Sequence, residues 1–268
     1  YIPTEKLAFI PKSVLQQTLR PENYSKNIFL SNLINNVPFP FNTDDLEKVI
    51  LLYSVGTIVR GYRKGAVTFP FIDFSNNVCA IQVKQFDEFN KTIATDYIHS
   101  IIAKSLKEQG KPTPGWLGNY LCKEKKVTCL FGEHLLSKYP NNPIALVEAP
   151  KTAIYGTIYF GFPENPVNLL WIAVYNLSSL TIDRVKVLHG RRVILFPDIS
   201  KNGRAFSLWT SRAEEFRKRI PHTIFKVSDI LEGNAADEDR RRGLDIADFL
   251  INKDWRKFRS IHQIILNK

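Results

Sequence analysis

The chain has 268 residues, with 37 Lys and Arg against 26 Asp and Glu and a formal net charge of +11. Its 44% hydrophobic and 24% charged residues are ordinary globular values, which excludes a disordered or low-complexity chain and leaves material for a core. The longest apolar run, around Leu169–Tyr175, is too short to span a bilayer. The opening residues do not read as a signal peptide, and Cys79, Cys122 and Cys129 cannot build a disulfide framework. Membrane, secreted and zinc-scaffolded classes therefore fall away, and a cytoplasmic location is expected.

The N-terminal part opens with irregular, proline-bearing sequence and then shows helical spacing at Phe29, Leu30, Leu33 and Ile34. A second helix is predicted after Asn42-Thr43-Asp44-Asp45, where a capping residue and early acids precede Leu46, Val49, Ile50 and Tyr53 on one face. Strands are predicted at Thr57–Tyr62, Ala66–Asp73 and Val78–Phe86, separated by polar turns, as in a small antiparallel meander. Ile98, Ile101, Ile102 and Leu106 mark another helix. The breaker-rich stretch Gln109–Gly115 is the best linker candidate, and an α+β region over 1–130 is expected to precede a second domain over 131–268.

From about Asn142 the rhythm changes. The runs Ile144–Val147, Leu169–Tyr175, Val193–Phe196 and Thr223–Val227 suit strands buried on both faces. Helices are predicted between them at Lys151–Phe160 and Ser179–Leu188, and again where Phe206, Trp209, Ala213, Phe216 and Ile220 recur at spacings of 3 and 4. This βα alternation predicts an α/β domain with a parallel four-stranded sheet flanked by helices.

Most of the familiar catalytic signatures are missing: there is no Walker A loop, G-x-G-x-x-G, H-E-x-x-H or G-x-S-x-G, and the five histidines are scattered. The acids are more informative. Glu148 directly follows one predicted strand and Asp198 another, at the sheet edge where open α/β folds bind ligands. Paired carboxylates there suit a hard cation such as Mg²⁺ or Mn²⁺ beside phosphate. The competing reading is that both acids merely cap the helices that follow. Gly243–Leu250 adds a predicted short helix with Asp245 and Asp248 on one face.

Three segments carry a family resemblance. Leu146-Val147-Glu148-Ala149-Pro150-Lys151-Thr152-Ala153 resembles the first motif of toprim domains, a strand ending in Glu before a helix. Val193–Ala205 resembles the second, a strand ending in Asp-x-Asp with a Gly ahead of a helix, and Gly243–Leu250 resembles the downstream acidic segment of primase-like toprim proteins. Trp171–Asn176 stands where toprim sequences place their second strand. More weakly, Gly65–Asp73 is similar to the hairpin-forming segment that precedes toprim in bacterial primases. The chain thus resembles uncharacterised primase-like toprim proteins of bacterial mobile elements, some of which carry an N-terminal zinc ribbon. As the sequence has no methionine, even at position 1, residues upstream of Tyr1 are expected.

The resemblance implies acid–base work by Glu148 and Mg²⁺ (or Mn²⁺) held by Asp198, with Asp245 and Asp248 as further ligands. The second acid of Asp-x-Asp is Ser200 here, a weaker and uncharged ligand. Single-stranded DNA or RNA is the expected partner, with replication or mobilisation proteins beside it and no membrane. Arg60, Tyr62, Arg63, Lys64, Lys84, Lys151, Lys201 and Arg204 are the candidate nucleic-acid contacts, the cations for phosphates and Tyr62 for stacking. Two readings follow: a Mg²⁺-dependent primase-like nucleotidyltransferase, or a catalytically degenerate module that only binds single-stranded nucleic acid or partner proteins. In the blander case the basic runs are solvated faces.

Overall fold

The computed structural model describes residues 8–124 and 126–259. The chain divides into two compact units, Tyr1–Cys129 and Leu130–Lys268. Among the described residues no helix is long and apolar enough to cross a membrane.

The N-terminal unit begins with α1 (Lys12–Gln16), α2 (Ile28–Asn35) and α3 (Thr43–Tyr53). A four-stranded antiparallel sheet follows in the order β1 (Gly56–Thr57), β2 (Val67–Ile72), β3 (Val78–Phe86) and β4 (Thr92–Tyr97), then α4 (Ile98–Glu108) and α5 (Gly115–Leu121). Asn27 sets the entry of α2. Its side-chain oxygen accepts the Leu30 N–H at 3.2 Å, and its amide donates to the Gly56 carbonyl and Thr57 hydroxyl, tying the helix start to β1. Phe29 then stands between Phe69 and Phe86, with ring centroids at 5.8 and 5.0 Å. Pro70 is tolerated inside β2 because β1 pairs only as far as Thr68, so the strand is an edge at that point.

Three expectations for this unit need correction. The strand predicted over Thr57–Tyr62 ends at Thr57, because the chain turns at Gly61, Arg63 and Gly65, all at positive φ. β4 was not foreseen: it is a polar edge strand in which Ile93 is 60% exposed, so it carries no alternating apolar signal. The breaker-rich stretch Gln109–Gly115 joins α4 to α5 within this unit.

The C-terminal unit contains α6 (Leu135–Lys138), β5 (Ile144–Val147), α7 (Pro150–Phe160), β6 (Leu170–Ala173), α8 (Ile182–Val185), β7 (Arg192–Leu195), α9 (Arg204–Arg219) and β8 (Ile224–Val227). It continues through α10 (Ile230–Asn234), α11 (Asp237–Arg242) and α12 (Ile246–Leu250). The sheet is parallel, in the order β6-β5-β7-β8, so the α/β class and four-stranded sheet read from the apolar runs are both present. The helix expected over Ser179–Leu188 is reduced to α8 between two short 3₁₀ turns.

α7 is buried on nearly every side, from Thr152 to Tyr159, because the sheet lies beneath it and the C-terminal elements cover it. The Tyr159 hydroxyl donates to the Lys253 carbonyl at 3.1 Å, and the Arg259 guanidinium donates to the Ile158 carbonyl. α9 buries Trp209, Ala213 and Phe216, the last against Phe225 of β8. Its final turn carries Arg217, Lys218 and Arg219, which favour the negative end of the helix dipole.

Candidate functional site

The chain enters the sheet at β5, moves to one side for β6 and to the other for β7. The strand order therefore reverses between β5 and β7, and in open α/β sheets the crevice at the carboxyl ends of such strands is where ligands bind. Glu148 follows β5 directly and Asp198 lies three residues beyond β7. The backbone fixes both. The Tyr175 N–H donates to the Glu148 carbonyl at 2.8 Å, and the Phe196 N–H donates to the Leu146 carbonyl at 2.9 Å. The Ile199 N–H donates to the Leu244 carbonyl at 2.8 Å, which brings Asp198 beside the start of α12.

Asp245 is not inside a helix, as its spacing suggested, but caps α12 from outside. Its Oδ1 accepts the Asp248 N–H at 2.9 Å, and Asp248 Oδ2 accepts the Asp245 N–H at 3.1 Å, a reciprocal capping box. Two residues from α7 complete the set. The Thr152 hydroxyl donates to Asp245 Oδ2 at 2.8 Å, and Lys151 Nζ lies 3.2 Å from both Asp245 Oδ2 and Asp248 Oδ1. All four carboxylate oxygens of the two aspartates thus have a donor.

The charges in this cluster pull in opposite directions. Burial pushes the Asp198 carboxyl well above the usual carboxylate range, and the neighbouring Asp245 and Glu148 push it further, with Lys151 only partly offsetting them. Burial would raise Asp245 too, but the Lys151 ammonium, the Asp248 N–H and the Thr152 hydroxyl hold it below its ordinary value. Burial would lower Lys151, yet Asp245 and Asp248 hold it above the usual lysine range. Four of the sequence-identified acids therefore do share one electrostatic neighbourhood.

Ser200 serves a different purpose there. Its hydroxyl accepts the Ala205 N–H at 2.7 Å and so satisfies a donor in the first turn of α9. Lys201 and Arg204 are exposed beside it. Ser200 and the two aspartates of the α12 cap thus already spend acceptor capacity on protein donors, and Lys151 stands on the aspartate pair where a cation would bind. Among the described residues no three His, Cys, Asp or Glu side chains are disposed to hold a metal.

The other candidate contacts lie in the N-terminal unit. Tyr62 is 51% exposed, with the Arg63 guanidinium 4.5 Å and Lys104 Nζ 4.8 Å from its ring centre. Arg63 also donates to Asp96 at 2.6 Å and Gln85 at 3.1 Å, so it is half-buried and fixed. Arg60 and Lys64 are exposed on the same turn, and Lys84 is half-buried on β3. Arg60 also lines a groove of about 640 Å³ with Arg20, Asn23, Thr57 and residues of α4.

Sequence reasoning missed two partners. Lys104 escaped because α4 gave only an apolar signal. Lys151 was read as a phosphate contact, although a cation in the first turn of a helix opposes the dipole and so asks for a carboxylate partner.

Compared with known proteins, a family model described as Domain of unknown function (DUF6371) matches residues 27–199. No curated protein matches. Among solved structures the chain is similar to the primase fragment of the bacteriophage T7 primase-helicase protein, at 13% identity and a TM-score of 0.38, over 72% of this chain and 68% of that one. It is also similar to the DnaG catalytic core, at 12% identity and a TM-score of 0.48, over 90% and 82% of the two chains. For the Aquifex aeolicus primase, zinc-binding and RNA polymerase domains, the identity is 14% and the TM-score 0.48, over 93% of this chain and 58% of that one. The family match spans well over half the sequence, and the chain belongs to the DUF6371 family.

Proposed function

We propose that this chain is a primase-like protein that binds single-stranded nucleic acid in the replication or mobilisation of mobile DNA. The carrying observation is the exposed Tyr62 ring, with Arg63 and Lys104 close to it and Arg60 and Lys64 on the same turn. An aromatic face fixed among cations can stack a base while the cations neutralise its phosphates, without requiring a particular sequence. The net charge of +11 favours the same class of partner.

Fluorescence anisotropy of a labelled oligodeoxythymidine, titrated at several salt concentrations, tests this. Affinity is expected to fall linearly with salt on logarithmic axes. Tyr62→Ala is expected to lose about 1–3 kcal/mol of binding. Absent or salt-insensitive binding overturns the proposal.

A second reading is supported by Glu148 and Asp198 following adjacent strands at the point where strand order reverses. There the site would make or break phosphodiester bonds in primer synthesis. Glu148 would hold or deliver a proton, and Asp198 would be a metal-holding acid. Primer synthesis at the wild-type rate by Glu148→Gln excludes that reading.

A further inference from the structure

We infer that Lys151 is the resident cation of the Asp245–Asp248 pair, and that a divalent ion enters there only by displacing its ammonium. Lys151 Nζ sits between two carboxylates, 3.2 Å from Asp245 Oδ2 and 3.2 Å from Asp248 Oδ1, on a side chain that is itself only 13% exposed. Magnesium needs its ligands at roughly 2.0–2.1 Å in near-octahedral order. An ion bound that closely to either oxygen would lie beside Nζ, positive against positive, in a partly dry site where little water screens the repulsion.

The remaining donors reinforce the exclusion. Asp245 Oδ2 also accepts the Thr152 hydroxyl, and the other oxygen of each aspartate accepts a backbone N–H of the capping box. A metal that took Asp245 Oδ2 would therefore have to displace a donor, and each other oxygen of the pair already shares its lone pairs with one. Ser200, which could offer a neutral oxygen, already accepts the Ala205 N–H. The lysine is anchored by sequence, since Pro150 starts α7 and leaves residue 151 in its first turn, facing the start of α12.

This inference does not depend on nucleic-acid binding: a chain that ignored single strands would still hold Lys151 on its aspartates. It is tested with Mn²⁺ alone on the full chain, by the electron paramagnetic resonance signal of free Mn²⁺. Lys151→Met and Lys151→Gln are expected to bind Mn²⁺ at least about tenfold tighter than wild type. Folded variants that gain no affinity overturn the inference. A second measurement needs no substitution. In ¹⁵N-labelled wild type, amides of Thr152 and Asp248 are expected to broaden no more than exposed amides at equimolar Mn²⁺. Selective broadening there at that ratio shows that Lys151 does not keep the metal out and overturns the inference.

Discussion

Gly156 of α7 faces the indole of Trp171 on β6 so closely that a β-carbon would fall inside the ring's van der Waals surface. The indole cannot retreat, since Phe160 stacks on it at 5.5 Å and Phe196 at 5.2 Å. Gly156→Ala sets two effects against each other. Helix propensity favours alanine by about 1 kcal/mol. Overpacking typically costs about 1–3 kcal/mol, and more where nothing can shift. The variant is expected to be destabilised, with a lower midpoint in urea, and an unchanged or higher midpoint contradicts the packing argument.

Asp198 makes stability depend on pH. Its folded-state value is raised, so the folded chain takes up a proton more readily than the unfolded one. Stability is therefore highest below the ordinary carboxylate range and falls as pH rises from there through the raised value. Asp198→Asn removes the charge, and above that window the variant is expected to be more stable by about 0.5–2 kcal/mol. Thermal unfolding across pH 5 to 9 checks this. A variant less stable than wild type at the alkaline end refutes it.

The sign is opposite for His99. Burial, with a smaller contribution from Lys126, lowers it to about 4, and the ring lies between Tyr97 and Tyr120 at centroid distances of 5.7 and 4.9 Å. The unfolded chain then binds the proton first. Stability is full above about 6.5 and falls as pH drops toward 4, by roughly 3 kcal/mol in all. His99→Phe is expected to flatten that limb of the unfolding profile. An acid limb of wild-type steepness in the variant assigns the effect elsewhere.

Thr152 offers a gentler probe of the acidic cluster than removal of a charge. Thr152→Val keeps the shape and deletes the donor to Asp245 Oδ2. A hydrogen bond to a charged group contributes about 1.5–3 kcal/mol, so a loss of that size is expected, with Thr152→Ser retaining most of the wild-type stability. Equal urea midpoints for Val and wild type show that Lys151 and the capping box hold Asp245 without it.

Much of the C-terminal unit was legible because its strands are buried on both faces and read as unbroken apolar runs. β5 matches its run residue for residue, β7 is shifted from its run by one residue, and β8 starts one residue later than predicted. β4 was not legible, since an edge strand has no need of alternating apolar residues. The convergence of Glu148, Asp198, Asp245 and Asp248 could be anticipated from strand ends and a short acidic segment. The place of Lys151 in the first turn of α7 asked for a carboxylate, but nothing in the sequence said which, since Asp245 and Asp248 lie more than 90 residues away.

The Ser200 hydroxyl that holds the Ala205 N–H bears on how such a site can change. A carboxylate closes the start of a helix about as well as a hydroxyl does, so the turn ahead of α9 keeps its shape with either side chain. The charge is another matter, because a carboxylate at position 200 would lie two residues from Asp198, whose carboxyl the neighbouring acids already push up. The hydroxyl therefore closes the turn without adding a further negative charge to an edge that already gathers Glu148, Asp198, Asp245 and Asp248.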